Sequence, residues 1–189
     1  METNETMNIS DSRAVIVEQL VESCKELLGS YDVNIEVDEK KNSPESGKDE
    51  IQLIGLLGVT AEGLRATVAI QTSDQILQDT FPADLDTDRD QKLQDWIGEL
   101  SNQLLGRLKN KLIPYGCELT LGVPAVIQGS QLTTILPRRT EISSHRFITD
   151  QDNDVFLFLS TLEEESFTLH SPDTDTEDEF MAEGELLFF

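Results

Sequence analysis

The chain has 189 residues, 38% of them hydrophobic, with 37 acidic against 14 basic side chains and a formal net charge of −23. That length supports one substantial core, and the low hydrophobic fraction implies that part of the chain stays outside it. Nucleic acid and anionic membranes are excluded as partners, because no basic footprint exists to release counterions; proteins are the expected partners.

The charge is uneven: Glu163 to Phe189 carries ten acidic residues and no Lys or Arg, which leaves −13 for residues 1–162. Cys24 and Cys117 lie far apart without CxxC spacing, as expected of a reduced pair rather than a disulfide scaffold. The polar start METNETMNISDSR has no secretory pattern, and no apolar run approaches the ~20 residues that span a bilayer. A soluble, cytoplasmic protein is the expectation.

In chain order, the first predicted element is a helix from Ser12 to Leu28, with cap oxygens at Ser10, Asp11 and Ser12 and a stop at Gly29. Its apolar residues Val17, Leu20, Val21, Cys24 and Leu28 recur at helical spacing. YDVNIEVDE alternates Val33, Ile35 and Val37 with polar residues, the pattern of a half-buried strand. After a solvated loop, IQLIGLLGVT and GLRATVAIQT form a predicted hairpin turning at Ala61-Glu62-Gly63. Ser73 is placed to cap a short helix from Asp74 to Thr80 that stops near Pro82. A long helix is predicted over Asp90 to Leu112. CELTLGVPAVIQG and LTTILP read as strands, with Pro124 at an edge, bulge or strand start. HRFIT and DVFLFLS around DQDND make a final hairpin. This order points to an α+β domain, with helices packed on a largely antiparallel sheet. The acidic stretch from Glu163 to Glu179 is expected to be disordered, having too little apolar surface to offset chain entropy.

The long helix carries the functional signal. At about 100° per residue, Leu93, Trp96, Ile97, Leu100, Leu104, Leu108 and Leu112 share a core face. Asp95, Glu99, Asn102 and Gly106 fall on a narrow stripe opposite, at i, i+4, i+7 and i+11. Glu99 and Asn102 lie one turn apart and can reach a single partner together. Gly106 costs a helix interior roughly 0.5–1 kcal/mol against alanine, and on an exposed stripe its missing side chain lets another surface approach. By residue type alone the stripe is also what an ordinary solvated helix face would show.

The segment GELSNQLLGRLKNKL followed by LGVPAVIQG resembles the CheX branch of the CheC/CheX/FliY chemotaxis phosphatases. There a helix reads approximately E-[L/I]-x-N-x-x-x-G-x-x-K and a later strand x-P-x-V-I-x-G. The matching residues are Glu99, Leu100, Asn102, Gly106 and Lys109, then Pro124, Val126, Ile127 and Gly129. The resemblance covers about residues 9–162. It leaves residues 1–8 as a flexible N-terminal segment and 163–189 as an acidic tail with an apolar end. It implies a CheC-like (CheX) fold and a phosphatase acting on the aspartyl phosphate of a CheY-like receiver. On this resemblance Asn102 orients the attacking water and Glu99 docks on the receiver's active-site Lys. Asp95, Gln103 and Gly106 are assigned to partner contact. The resemblance also implies a homodimer and no cofactor beyond the Mg²⁺ that the receiver brings. The alternative is a module of this fold that binds a receiver or acts as a scaffold without catalysis.

Three further features of the sequence have simpler readings. Asp84, Asp86, Asp88, Asp90 and Asp95 have the spacing of an EF-hand loop, but Arg89 replaces its glycine and Asp95 its final glutamate; an acidic linker favouring a helix N-terminus is the simpler reading. Ser143, Ser144 and His145 lack a nucleophile elbow, and two His with two dispersed Cys make no zinc site. The C-terminal EGELLFF is open to three readings: a segment that folds back, a partner-binding tag or a frayed end.

Overall fold

A computed structural model describes residues 6–38, 51–83, 88–130 and 141–172. Helix α1 (Ile9–Gly29) begins earlier than predicted, because Asn8 takes the cap: its side-chain oxygen accepts from the Asp11 N–H at 2.9 Å. Ser12 is instead fully buried, and its hydroxyl oxygen accepts from the Leu169 N–H at 2.9 Å. Strand β1 (Ile35–Val37) is shorter than its alternation suggested, with only Ile35 buried. Strands β2 (Ile51–Ala61) and β3 (Leu64–Ser73) form the predicted hairpin. Ala61 pairs with Leu64, so the turn is the two residues Glu62-Gly63, with Gly63 at φ +67°.

Helix α2 (Asp74–Thr80) matches its predicted span, but Ser73 does not cap it through its side chain. Ser73 is still the last residue of β3, paired with Gln52, and its buried hydroxyl has no partner among the described residues. Helix α3 (Arg89–Leu112) follows, with Asp90 in its first turn and Lys109 and Lys111 in its last, both favourable to the helix dipole. A single 3-10 turn, Ile113–Tyr115, leads to β4 (Thr120–Leu121) and β5 (Ala125–Ser130). Both lie along the same edge of β2, β4 opposite Val59–Thr60 and β5 opposite Ile51–Leu56, with Pro124 in the break between them. The predicted strand LTTILP lies outside the described residues. Strands β6 (Glu141–Thr149) and β7 (Asp154–Glu163) form the last hairpin, longer than HRFIT and DVFLFLS alone.

The strands make one antiparallel sheet in the order β1-β6-β7-β3-β2-β4, with β5 also on β2. Helices α1 and α3 cover one face. There Ile16, Leu20 and Leu27 of α1 and the apolar face of α3 meet Leu53, Leu57, Val68, Ile70, Leu157 and Leu159 of the sheet. A smaller cluster of Ile54, Ala69, Phe156 and Phe158 lies apart from it. Glycine fixes how closely α3 approaches: a β-carbon at Gly55 would lie 2.1 Å from Ser101 Oγ and 2.9 Å from the Ile97 carbonyl oxygen.

Ordered contacts reach beyond residues 9–162 at both ends. Glu163 ends β7 and receives two hydrogen bonds from Arg13, at 2.9 and 3.0 Å. Phe167 and Leu169 are buried in the main core. The Met7 N–H donates to the Leu169 carbonyl at 2.9 Å, and Thr6 bridges His170. Residues 6–8 and 163–172 therefore belong to the fold, because Phe167 and Leu169 supply apolar anchors that the acidic composition conceals. The EGELLFF end lies outside the described residues. Cys24 and Cys117 are both buried and unpaired. No described helix is long and apolar enough to cross a membrane.

Candidate functional site

Helix α3 presents two surfaces. All seven apolar residues assigned to its core face are buried, together with Leu105, Gly98 and Ser101, which the 100° reading left out. Asp95 and Glu99 are exposed and Asn102 and Gly106 partly so, on one outward strip. Lys109 continues that strip toward the helix C-terminus. A β-carbon at Gly106 would meet nothing within 4 Å, so the glycine serves no internal packing.

The strip is walled on both flanks. On one side the β4–β5 connection and the start of β5 close on the helix: a β-carbon at Gly98 would lie 3.6 Å from Val126 Cγ2 and 3.8 Å from Pro124 Cγ. Val123, in the same connection, is 89% exposed beside it, an apolar residue left facing solvent. On the other side stands Tyr31, from the turn after α1. Its ring meets Trp96 edge-on at 5.5 Å, and Trp96 meets Phe81 in the same way at 5.6 Å. The Trp96 indole N–H donates to Thr80 Oγ1 at 3.0 Å, which ties this aromatic cluster to the end of α2.

Polar contacts separate the strip residues. Gln91 Nε2 donates to Asp95 Oδ1 at 2.8 Å, and Gln103 Nε2 donates to Glu99 Oε1 at 3.1 Å. Gln103 Oε1 in turn accepts from the Tyr31 hydroxyl at 2.9 Å. The Asn102 carboxamide has no hydrogen-bond partner among the described residues, leaving its donor and its acceptor both free. Such an arrangement can offer a fixed carboxylate to a cation and a free amide to water one turn away.

Other candidate residues do not converge here. Asp84 and Asp86 lie outside the described residues, while Asp90 and Asp95 are already inside α3, which starts at Arg89. A helix there commits the Asp90 carbonyl, which an EF-hand loop would use as a ligand. Among the described residues no three His, Cys, Asp or Glu side chains gather as a metal site. Ser143, Ser144 and His145 sit in the middle of β6; Ser143 Oγ and His145 Nε2 are buried without partners among the described residues. Burial pushes the His145 imidazole below its ordinary value. Sequence reasoning missed Tyr31, Trp96 as the clamp of Tyr31, and the linking role of Gln103. No local signal marks a contact between residues 72 positions apart.

The family described as chemotaxis phosphatase CheX matches residues 53–147, from β2 through α3 into β6. Solved structures share the architecture at low identity. The chemotaxis protein CheX from Vibrio vulnificus is 18% identical with a TM-score of 0.64, covering 78% of this chain and 96% of its own. A chemotactic CheC-like protein from Shewanella oneidensis MR-1 is 16% identical with a TM-score of 0.65, covering 79% and 99%. A CheX–CheY–BeF3–Mg²⁺ complex from Borrelia burgdorferi matches at 14% identity and a TM-score of 0.64, covering 78% and 98%. No curated protein matches the chain. The family match spans the candidate helix and about half of the sequence, and the solved folds repeat its helices on an antiparallel sheet: the chain belongs to the chemotaxis phosphatase CheX family.

Proposed function

We propose that this chain hydrolyses the aspartyl phosphate of a CheY-like response-regulator receiver, with Glu99 and Asn102 as the working pair. The observation that carries this reading is the outward strip of α3, where a tethered carboxylate and an unbonded carboxamide stand one turn apart within the family-matched segment. The family description names a phosphatase, and a CheX of this fold has been crystallised with CheY, BeF3 and Mg²⁺. Those two facts support a receiver as the substrate class.

The chemistry asks little of the enzyme beyond placement. An aspartyl phosphate is already reactive, and the receiver brings its own Mg²⁺ and Lys to balance the phosphoryl charge. Hydrolysis then depends on a water held in line with the phosphorus. The Asn102 carboxamide enters the receiver site and holds that water through its oxygen and its NH₂ group. The water oxygen bonds to phosphorus, the bond from phosphorus to the aspartyl oxygen breaks with its electron pair leaving on the receiver carboxylate, and the water protons pass to phosphate and solvent. Orienting one water is worth several kcal/mol of barrier. Glu99 pairs with the receiver's Lys in a charge-assisted hydrogen bond that sets the depth of insertion. Asp95 and Gly106 lie under the docked receiver, Gly106 giving it room. A homodimer working in the cytoplasm belongs to the same reading.

The test is phosphate release from a Mg²⁺-loaded, acetyl-phosphate-charged receiver. Addition of the protein in catalytic amounts accelerates release; a rate equal to the receiver's own hydrolysis, with binding retained, identifies a non-catalytic module instead.

A further inference from the structure

We infer that Gln103 and Tyr31 are positioning residues that hold the Glu99 carboxylate in its docking geometry, and that Gln103 acts through Glu99 rather than by touching the receiver. The inference rests on the proposed role of Glu99. A glutamate on an exposed helix face samples several rotamers and loses that freedom when it docks. Here the freedom is already restricted. Gln103 Nε2 donates to Glu99 Oε1 at 3.1 Å, and Gln103 Oε1 accepts from the Tyr31 hydroxyl at 2.9 Å. Both ends of the amide are used: the Glu99 carboxylate can only accept, so it takes the NH₂ end, and Oε1 is left to accept from the Tyr31 hydroxyl that anchors it.

Tyr31 is anchored in its turn. Its ring stands edge-on to Trp96 at 5.5 Å, and the Trp96 N–H is bonded to Thr80 Oγ1, whose own hydroxyl donates to the Ile76 carbonyl at 2.9 Å. The chain from α2 through Trp96, Tyr31 and Gln103 therefore ends on one carboxylate oxygen and leaves Oε2 for a cation. Asp95 provides an internal comparison. It has the same four-residue tether, from Gln91, but both members are exposed and no second anchor holds Gln91 among the described residues. Only the glutamate of the working pair is wired to the core.

Tyr31→Phe keeps the ring contact and removes the hydroxyl, whereas Gln103→Leu removes both hydrogen bonds. Initial rates of phosphate release, measured against the concentration of Mg²⁺-loaded phosphorylated receiver, separate docking from turnover. Each variant is expected to raise the half-saturating receiver concentration roughly three- to tenfold while kcat stays within about twofold. The double variant should be no worse than Gln103→Leu alone, because the two residues act in series. An unchanged half-saturation point for Tyr31→Phe, or effects that multiply in the double variant, overturns the inference. So does a loss confined to kcat. Equal urea midpoints for Tyr31→Phe and the parent exclude a folding defect, and a lower midpoint that accounts for the loss counts against positioning. The same titration followed by calorimetry with a BeF3- and Mg²⁺-loaded receiver keeps the two proposals apart. If the parent protein binds but does not hydrolyse, the catalytic reading fails and weaker binding by Tyr31→Phe still supports positioning. If the parent does not bind, both fail.

Discussion

Gly55→Ala is the sharpest test of how the candidate helix is seated. The new β-carbon would lie 2.1 Å from Ser101 Oγ and 2.9 Å from the Ile97 carbonyl oxygen. Neither neighbour yields cheaply. Ser101 Oγ is buried and donates to the Ile97 carbonyl at 2.8 Å, so rotating it away leaves a buried hydroxyl unpaired at ~1–3 kcal/mol. The Ile97 oxygen is helix backbone and moves only with α3. Against this, alanine gains ~0.5–1 kcal/mol over glycine in strand entropy and ~0.8 kcal/mol for burying one carbon. Overpacking of this kind costs ~1–3 kcal/mol on its own. Adding the hydroxyl term and subtracting the gains leaves a net loss of roughly 0.2–4.7 kcal/mol, centred at ~2.5 kcal/mol. Urea denaturation followed by tryptophan fluorescence reads it directly, because Trp96 is the only tryptophan and sits on the same helix. Adding Ser101→Gly should recover part of the loss. A Gly55→Ala protein as stable as the parent would refute the claim that this glycine sets the helix-to-sheet distance.

Three further outcomes are expected. Gly106→Ala should raise stability by ~0.5–1 kcal/mol, since nothing occupies the space, and slow receiver dephosphorylation; a more stable variant with full activity contradicts the docking role. Leu169→Ala should cost ~2–4 kcal/mol in urea, because Leu169 is fully buried; a loss below about 0.5 kcal/mol would show that residues beyond 163 are dispensable to the fold. Burial lowers the His145 value below 6.5, so the unfolded chain takes the proton first as pH falls. That contribution to stability is complete above pH 6.5 and declines below it. His145→Phe should flatten this slope in urea midpoints measured from pH 7.5 to 5.5, and an unchanged slope counts against it.

The parts of this molecule that were legible beforehand are those written in local periodicity. The 100° spacing from Leu93 to Leu112 locates α3, its buried face and its outward strip from the sequence alone. Alternation and Gly63 located the β2–β3 hairpin, and Pro124 marked the break between β4 and β5. Features that depend on distant partners were not legible. Gly55 looks like a weak strand residue until Ser101 is placed over it. Tyr31 looks like an ordinary residue after a helix until Gln103, 72 positions later, meets its hydroxyl. Phe167 and Leu169 were masked by acidic neighbours, since average composition says nothing about two well-placed anchors. Asn8 caps α1, while Ser12, one of the cap candidates by sequence, lies inside and accepts from the Leu169 N–H, a partner 157 positions away. The chemistry came from the family resemblance, and the geometry shows which strip residues are tethered and which one is free.

The central claim, that Asn102 orients the hydrolytic water, is tested most directly by Asn102→Ala, with binding to the Mg²⁺-loaded receiver and stimulated phosphate release measured on the same samples. The account predicts affinity close to that of the parent and release slowed by ~10²–10³. Undiminished turnover in the alanine variant would contradict it.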